Sequence, residues 1–150
     1  MVGIDEGAPA VVLFTQDGQV FDLGAPGQHI VVFFFEEAMS ARSVSMVGDF
    51  NDWLSGFSQL GIQVVGVGID RAPMIATFAS SYDLRYPLVS DTDRTVCLAF
   101  GVVGTRRGRP RAATFMIDRS GLVKRVFTDV PPYGHAKDVL AEAETLWGGY

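Results

Sequence analysis

Six consecutive apolar residues, Ile30 to Phe35 (IVVFFF), set the first constraint on this chain. β-Branched and aromatic side chains favour extended backbone, and successive strand residues point to opposite faces. A run that is apolar at every position must therefore be covered on both sides, which predicts a strand at the centre of a sheet. Downstream, Met46, Phe50, Trp53, Leu54 and Phe57 recur at spacings of three and four. That period predicts one helix, starting near Ser40 or Ser43 and ending before Gly61, with its apolar stripe against the strand. The whole stretch from His29 to Leu54 reads as strand, polar turn, helix, with Ser40, Arg42 and Ser43 in the first helical turn.

The flanking segments follow the same logic. Val11 to Phe14 and Val20 to Leu23 are short β-prone runs around Gln16-Asp17-Gly18, a hairpin signal. Ile62 to Ile69 is a second buried strand, and Asp70 before Ala72 and Pro73 predicts the cap and first turn of a helix running to about Tyr82. Tyr86 to Val89 is a short strand, after which Ser90 and Asp91 can cap a short helix through Phe100. A loop from Gly101 to Pro110 leads to strands at Ala113 to Asp118 and Leu122 to Phe127, joined by a turn at Ser120-Gly121. A helix from about Gly134 to Trp147 stops at Gly148 and Gly149. This order predicts an α/β thioredoxin-like fold, a mixed central sheet flanked by helices with an N-terminal β-hairpin extension, as a single domain over residues 1–150.

Composition excludes several function classes. The formal net charge is −5, whereas nucleic-acid and membrane-surface binding both need excess positive charge, so neither partner is expected. The N-terminus MVGIDEGAPA lacks a signal-peptide pattern and no run is long enough to span a bilayer, which makes the cytoplasm the expected location. Cys97 is the only cysteine and His29 and His135 are far apart in sequence. An internal disulfide and a CxxC pair are excluded by counting, and no metal or other cofactor is expected.

Beyond these patterns, the chain resembles peroxiredoxins, specifically the bacterioferritin-comigratory type of the AhpC/TSA group. The resemblance starts at Ala8-Pro9 and the Asp17-Gly18 turn and continues through Val65-Gly66-Val67, Asp70, Phe78, Tyr82 and Tyr86-Pro87-Leu88. It extends over Ser90-Asp91, Phe100-Gly101-Val102, Thr114-Phe115-Met116-Ile117-Asp118 and Gly121. The family motif runs F-Y-P-x-x-x-T-x-x-C, with F-R-D seven residues past the cysteine. Without gaps, Phe34 and Phe35 take its first two positions, Glu36 the proline, Ser40 the threonine and Ser43 the peroxidatic cysteine, while Phe50, Asn51 and Asp52 fall on F-R-D.

The resemblance implies thiol-dependent reduction of hydrogen peroxide and alkyl hydroperoxides with a thioredoxin-type reductant. A helix N-terminus lowers a thiol's pKa, and the thiolate attacks a peroxide oxygen to give a sulfenic acid. A serine hydroxyl stays protonated near neutral pH and has no sulfenic equivalent, so Ser43 implies loss of this chemistry. Other family positions differ as well: Glu36 replaces the site proline, and Met46 a glutamate. Ala112 stands at the family's arginine position, with Arg111 one residue earlier, a slip that turns a strand side chain to the opposite face. Two origins stay open for Ser43. An engineered replacement would leave the rest of the pocket intact; natural loss would let it drift, and Glu36, Met46 and Ala112 favour drift.

The reading is thus a peroxiredoxin-like protein acting by ligand or partner binding. Its alternatives are a thiol peroxidase seen as a Cys-to-Ser variant and a structural or homodimer-forming module. A hydrolase nucleophile at Ser43 lacks the glycines of a nucleophile elbow and an assigned base. Arg106, Arg107, Arg109 and Arg111 crowd one loop of an acidic chain. In a thioredoxin fold that loop lies beside the active-site helix, so with Arg42 these residues predict a site for a small anionic or peroxide-like ligand. Cys97 reads as core packing, Trp53 and Trp147 as packing residues, and Glu36 and Glu37 as solvated carboxylates whose opposed directions do not suit acid/base work on one bond.

Overall fold

The computed structural model describes residues 1–105, 107–131 and 133–148. The elements are β1 (Val12–Phe14), β2 (Val20–Asp22), β3 (His29–Phe34), α1 (Ala41–Asp52), α2 (Leu54–Gln59), β4 (Ile62–Gly68), α3 (Ala72–Ser81), β5 (Leu88–Ser90), α4 (Thr95–Phe100), β6 (Ala113–Ile117), β7 (Val123–Phe127) and α5 (His135–Trp147). β1 and β2 form an antiparallel hairpin, and the main sheet has the order β5-β4-β3-β6-β7. β3 is parallel to β4 and antiparallel to β6. The fold is the expected thioredoxin-like α/β arrangement with its hairpin extension.

The apolar run of β3 behaves as its composition requires. Val31, Phe33 and Phe35 enter one core cluster with Met46, Phe50, Phe57, Phe78 and residues of α5. Ile30, Val32 and Phe34 enter a second, with Leu13, Leu23, Val96, Cys97 and Phe100. α1, α2, α3 and α5 therefore cover one face, while α4 and the hairpin cover the other. Phe33 stacks on Phe50 with ring centroids 4.3 Å apart, joining β3 to α1. Such rings contribute both area and directional contact to the core. Among the described residues no helix is long and apolar enough to cross a membrane.

Four local expectations are corrected. The single helix from Ser40 or Ser43 to Gly61 is two, broken at Trp53, which is 39% exposed and so leaves the apolar stripe. The break brings Gly56 against Leu140 of α5, where a Cβ would meet the leucine Cδ2 at 2.5 Å. Asp70 does not cap α3: Arg71 is the N-cap residue, without a side-chain bond, and Asp70 Oδ2 instead accepts from the Ala38 amide at 2.9 Å. The strand expected at Tyr86 to Val89 is Leu88–Ser90, because the buried Tyr86 hydroxyl is drawn to the Val47 carbonyl at 2.6 Å. Of the two caps expected for α4, only Asp91 acts on it, accepting from the amides of Val96 at 3.0 Å and Cys97 at 2.8 Å. Ser90 donates to the Asp70 carbonyl.

Candidate functional site

The candidate site lies at the carboxyl end of β3, where α1 begins and β6 starts. Open α/β sheets present backbone and side-chain groups at such an edge. Ser40 is the N-cap of α1: its hydroxyl accepts from the Ser43 amide at 3.2 Å and donates to the Glu37 carbonyl at 2.9 Å. Ser43 is 2% exposed, and its Oγ accepts from the Glu37 amide at 3.4 Å. The loop before the helix is held from two sides, by these bonds and by Asp70 on Ala38. Met39 within it has φ 68°, a left-handed backbone that a non-glycine side chain adopts at a cost.

Phe35, Glu36, Arg42, Ser43, Met46 and Ala112 line a cavity of about 10 Å³ over Ser43. That is at the lower limit for a single water molecule. Met46 and Ala112 are both buried and narrow the space above the hydroxyl. The Arg42 guanidinium reaches to the Val130 carbonyl at 2.9 Å.

A second cavity, of about 660 Å³, lies on the other side of Glu36 and takes in Arg109 and Arg111. The two cavities share Glu36, so Arg42 and the loop arginines border neighbouring spaces rather than one. Consecutive residues divide between them: Ala112 faces the small cavity and Arg111 the large one. Arg107 is exposed and lines neither, and Arg106 lies outside the described residues. Glu36 and Glu37 sit past the end of β3 in a bend, not on the strand itself.

Cys97 is fully buried in the second core cluster. Burial, then the adjacent Asp91 carboxylate, pushes its thiol well above the ordinary range, away from thiolate chemistry. Neither histidine is bonded to Ser43. His29 opens β3 at the opposite end of the strand, stacks on Trp147 at 4.2 Å and accepts from the Arg119 amide at 3.1 Å. His135 is buried beneath β6 with its Nε2 2.7 Å from the Thr114 hydroxyl. Among the described residues no cluster of three or more histidine, cysteine or acidic side chains could hold a metal ion. Sequence reading did not find Asp70 on Ala38 or Asp49, whose Oδ2 caps α5 at the Ala136 amide at 2.8 Å. These pairs are 32 and 87 residues apart and carry no local signal.

With this geometry in place, the chain can be compared with known proteins. The profile of the AhpC/TSA family matches residues 4–126. A Mycobacterium tuberculosis protein named as a peroxiredoxin is 31% identical over 135 residues, 85% of this chain and 86% of its own length. Peroxiredoxin Bcp of Escherichia coli is 29% identical over 140 residues, 89% of this chain and 90% of its own. Among solved structures, the Xanthomonas campestris bacterioferritin comigratory protein, described for its alkyl peroxide reduction activity, superimposes with a TM-score of 0.85 at 26% identity, covering 93% of each chain. The chain belongs to the AhpC/TSA family of peroxiredoxins. Within that family its relatives are of the bacterioferritin-comigratory (Bcp/PrxQ) type, and its one cysteine is Cys97.

Proposed function

We propose that this chain is a single-domain peroxiredoxin relative, with Ser43 at the position of the peroxidatic cysteine, that acts by binding a ligand or partner and not by reducing peroxides. The observation that carries the reading is the chemistry available at the start of α1. The residue there is a buried serine under a cavity of about 10 Å³, and the only thiol of the chain is fully buried elsewhere with its ionisation suppressed. A peroxide needs a thiolate and room to meet it in line, and neither is on offer. Glu36, Met46 and Ala112 support natural drift of the site, since Met46 and Ala112 form the walls that close it.

A second reading, a thiol peroxidase carrying a Cys-to-Ser replacement at position 43, is favoured by one feature. The Glu37 amide already donates to the Ser43 Oγ at 3.4 Å, in the first turn of α1, where an N–H donor and the positive helix end would favour a thiolate. On that reading hydrogen peroxide and alkyl hydroperoxides would be substrates and a thioredoxin-type protein the reductant. A homodimer formed near α1 is compatible with either.

The test is peroxide consumption by the purified chain with thioredoxin or dithiothreitol. Hydrogen peroxide and an organic hydroperoxide should survive at the rate of the reductant alone. Turnover at a thiol-peroxidase rate would overturn the first reading and direct attention to Cys97.

A further inference from the structure

We propose that the outer face of the β1–β2 hairpin, with the cleft between it and α4, docks a basic segment of another protein that carries one aliphatic anchor between lysines or arginines. The surface lies on the face of the sheet opposite α1, so it does not depend on whether position 43 reacts with peroxide. The hairpin register pairs Phe14 with Val20 and Val12 with Asp22, and alternation puts these four side chains on one side. Leu13, Phe21 and Leu23 turn the other way, into the second core cluster. Phe14 is 67% exposed, Val20 59% and Val12 40%. Exposed singly, such residues need no explanation; adjoining one another, they form a patch of the kind used for contact.

The patch runs into a cleft of about 250 Å³ with Val12 and Phe14 on one side and Val89 and Val96 on the other. That volume is below the range of small-molecule pockets and suits a single branched side chain. Among the described residues, the charged side chains lining the cleft are Asp91 and Asp93, and no cation joins them. The hairpin adds Asp17 at its turn and Asp22 on its outer face, and residues 11–23 contain no lysine, arginine or histidine. Arg94, next in sequence to Asp93, does not line the cleft; its guanidinium donates to the carbonyls of Gly108 and Thr92. An apolar centre with an acidic rim is complemented by an apolar anchor flanked by cations. A second copy fits poorly, because a two-fold pairing would lay the acidic rim upon itself.

The surface is also held in place. Thr15 bridges to Val89, the Gln16 amide donates to the Leu88 carbonyl at 2.8 Å, and the Gln16 Oε1 accepts from the Leu88 amide at 2.6 Å. These bonds fix the hairpin along β5, so docking does not have to order it first.

The site is tested by NMR titration of the full chain with the acetylated, amidated peptide KKLKK, with KKSKK lacking the anchor and EELEE reversing the charge. KKLKK should give saturable shifts at residues 12–14, 20–22 and 89–96, with either control weaker by about threefold or more. Phe14→Ser/Val20→Ser should weaken KKLKK by about fivefold or more, and Asp17→Asn/Asp22→Asn should reduce its lead over EELEE. All four side chains are exposed, and a dispersed spectrum verifies that the variants are folded. Absence of saturation at millimolar peptide, KKSKK binding as tightly as KKLKK, or binding unchanged in the Phe14→Ser/Val20→Ser variant would each overturn the site. Sedimentation showing self-association that this variant abolishes would also overturn it, by making a second copy the occupant. Peroxide turnover is a separate readout: a chain that consumed peroxide and bound KKLKK here would lose the proposed function and keep the surface, and one that did neither would do the reverse.

Discussion

The His135 imidazole and the Thr114 hydroxyl lie 2.7 Å apart, both buried, and tie the first residue of α5 to the middle strand pair of the sheet. Phe50 and Phe127 close on the ring edge-to-face, at 5.8 and 5.3 Å. An imidazolium there would lose its hydration to aromatic carbon, and it would sit at the positive end of a helix.

Stability should therefore depend on pH through His135. Burial lowers its pKa from 6.5 to about 4, a fall that Asp138 only partly opposes. The unfolded chain binds this proton below pH 6.5 and the folded chain does not, so the contribution is complete above 6.5 and lost as pH falls to about 4. At about 1.4 kcal/mol per pH unit, this amounts to about 3 kcal/mol. Urea denaturation at pH 7.5, 5.5 and 4.5 should show the decline, and His135→Gln should flatten it by a comparable amount. His29, whose pKa is lowered by burial and by Arg119, contributes a smaller slope of the same sign.

Asp91 should be a structural residue of measurable weight. Its two carboxylate oxygens hold the amides of Val96 and Cys97 at the start of α4. Asp91→Ala should cost about 2 kcal/mol, as loss of a charged cap with buried donors left behind. Chemical denaturation gives the value, and a change below about 0.5 kcal/mol would mean that water replaces the carboxylate freely.

Cys97 should be inert while the chain is folded. A fully buried thiol with its ionisation suppressed meets neither requirement for reaction with an aromatic disulfide reagent. Native protein at pH 8 should release almost no thiolate dye over minutes, and one equivalent after denaturation. Rapid native labelling would show that α4 opens locally.

On the proposed reading, installing a thiol at position 43 should not by itself confer peroxidase activity. Ser43→Cys places a larger atom under a cavity of about 10 Å³ closed by Met46. Peroxide consumption with dithiothreitol should stay within about threefold of the unmodified chain, whereas Ser43→Cys/Met46→Ala, which removes part of the wall, should exceed it. High activity of the single variant would show that Met46 yields to substrate.

The architecture was largely legible from the sequence, because it depends on period and on breakers. IVVFFF is apolar on both faces and became the central strand, with its odd and even residues in separate cores. The hairpin around Asp17-Gly18 and the β6-β7 pair around Gly121 carry their own turn chemistry. The expectation of one helix across Trp53 failed because apolar spacing continues through the break, and only the packing of Gly56 on Leu140 reveals the change of direction. Asp70 looked like a cap because it precedes Ala72-Pro73, and a backbone amide 32 residues away competed for it.

The sequence by itself determined the order of elements, the buried strand, the count of one thiol and the serine in the first turn of α1. These follow from local spacing and composition. The tertiary structure alone decided how much room stands over that serine, that Arg111 and Ala112 face different cavities, and that Asp49 and Asp70 serve distant amides. Each of these depends on which side chains from separate elements share one volume, a quantity set by long-range packing and absent from any local pattern.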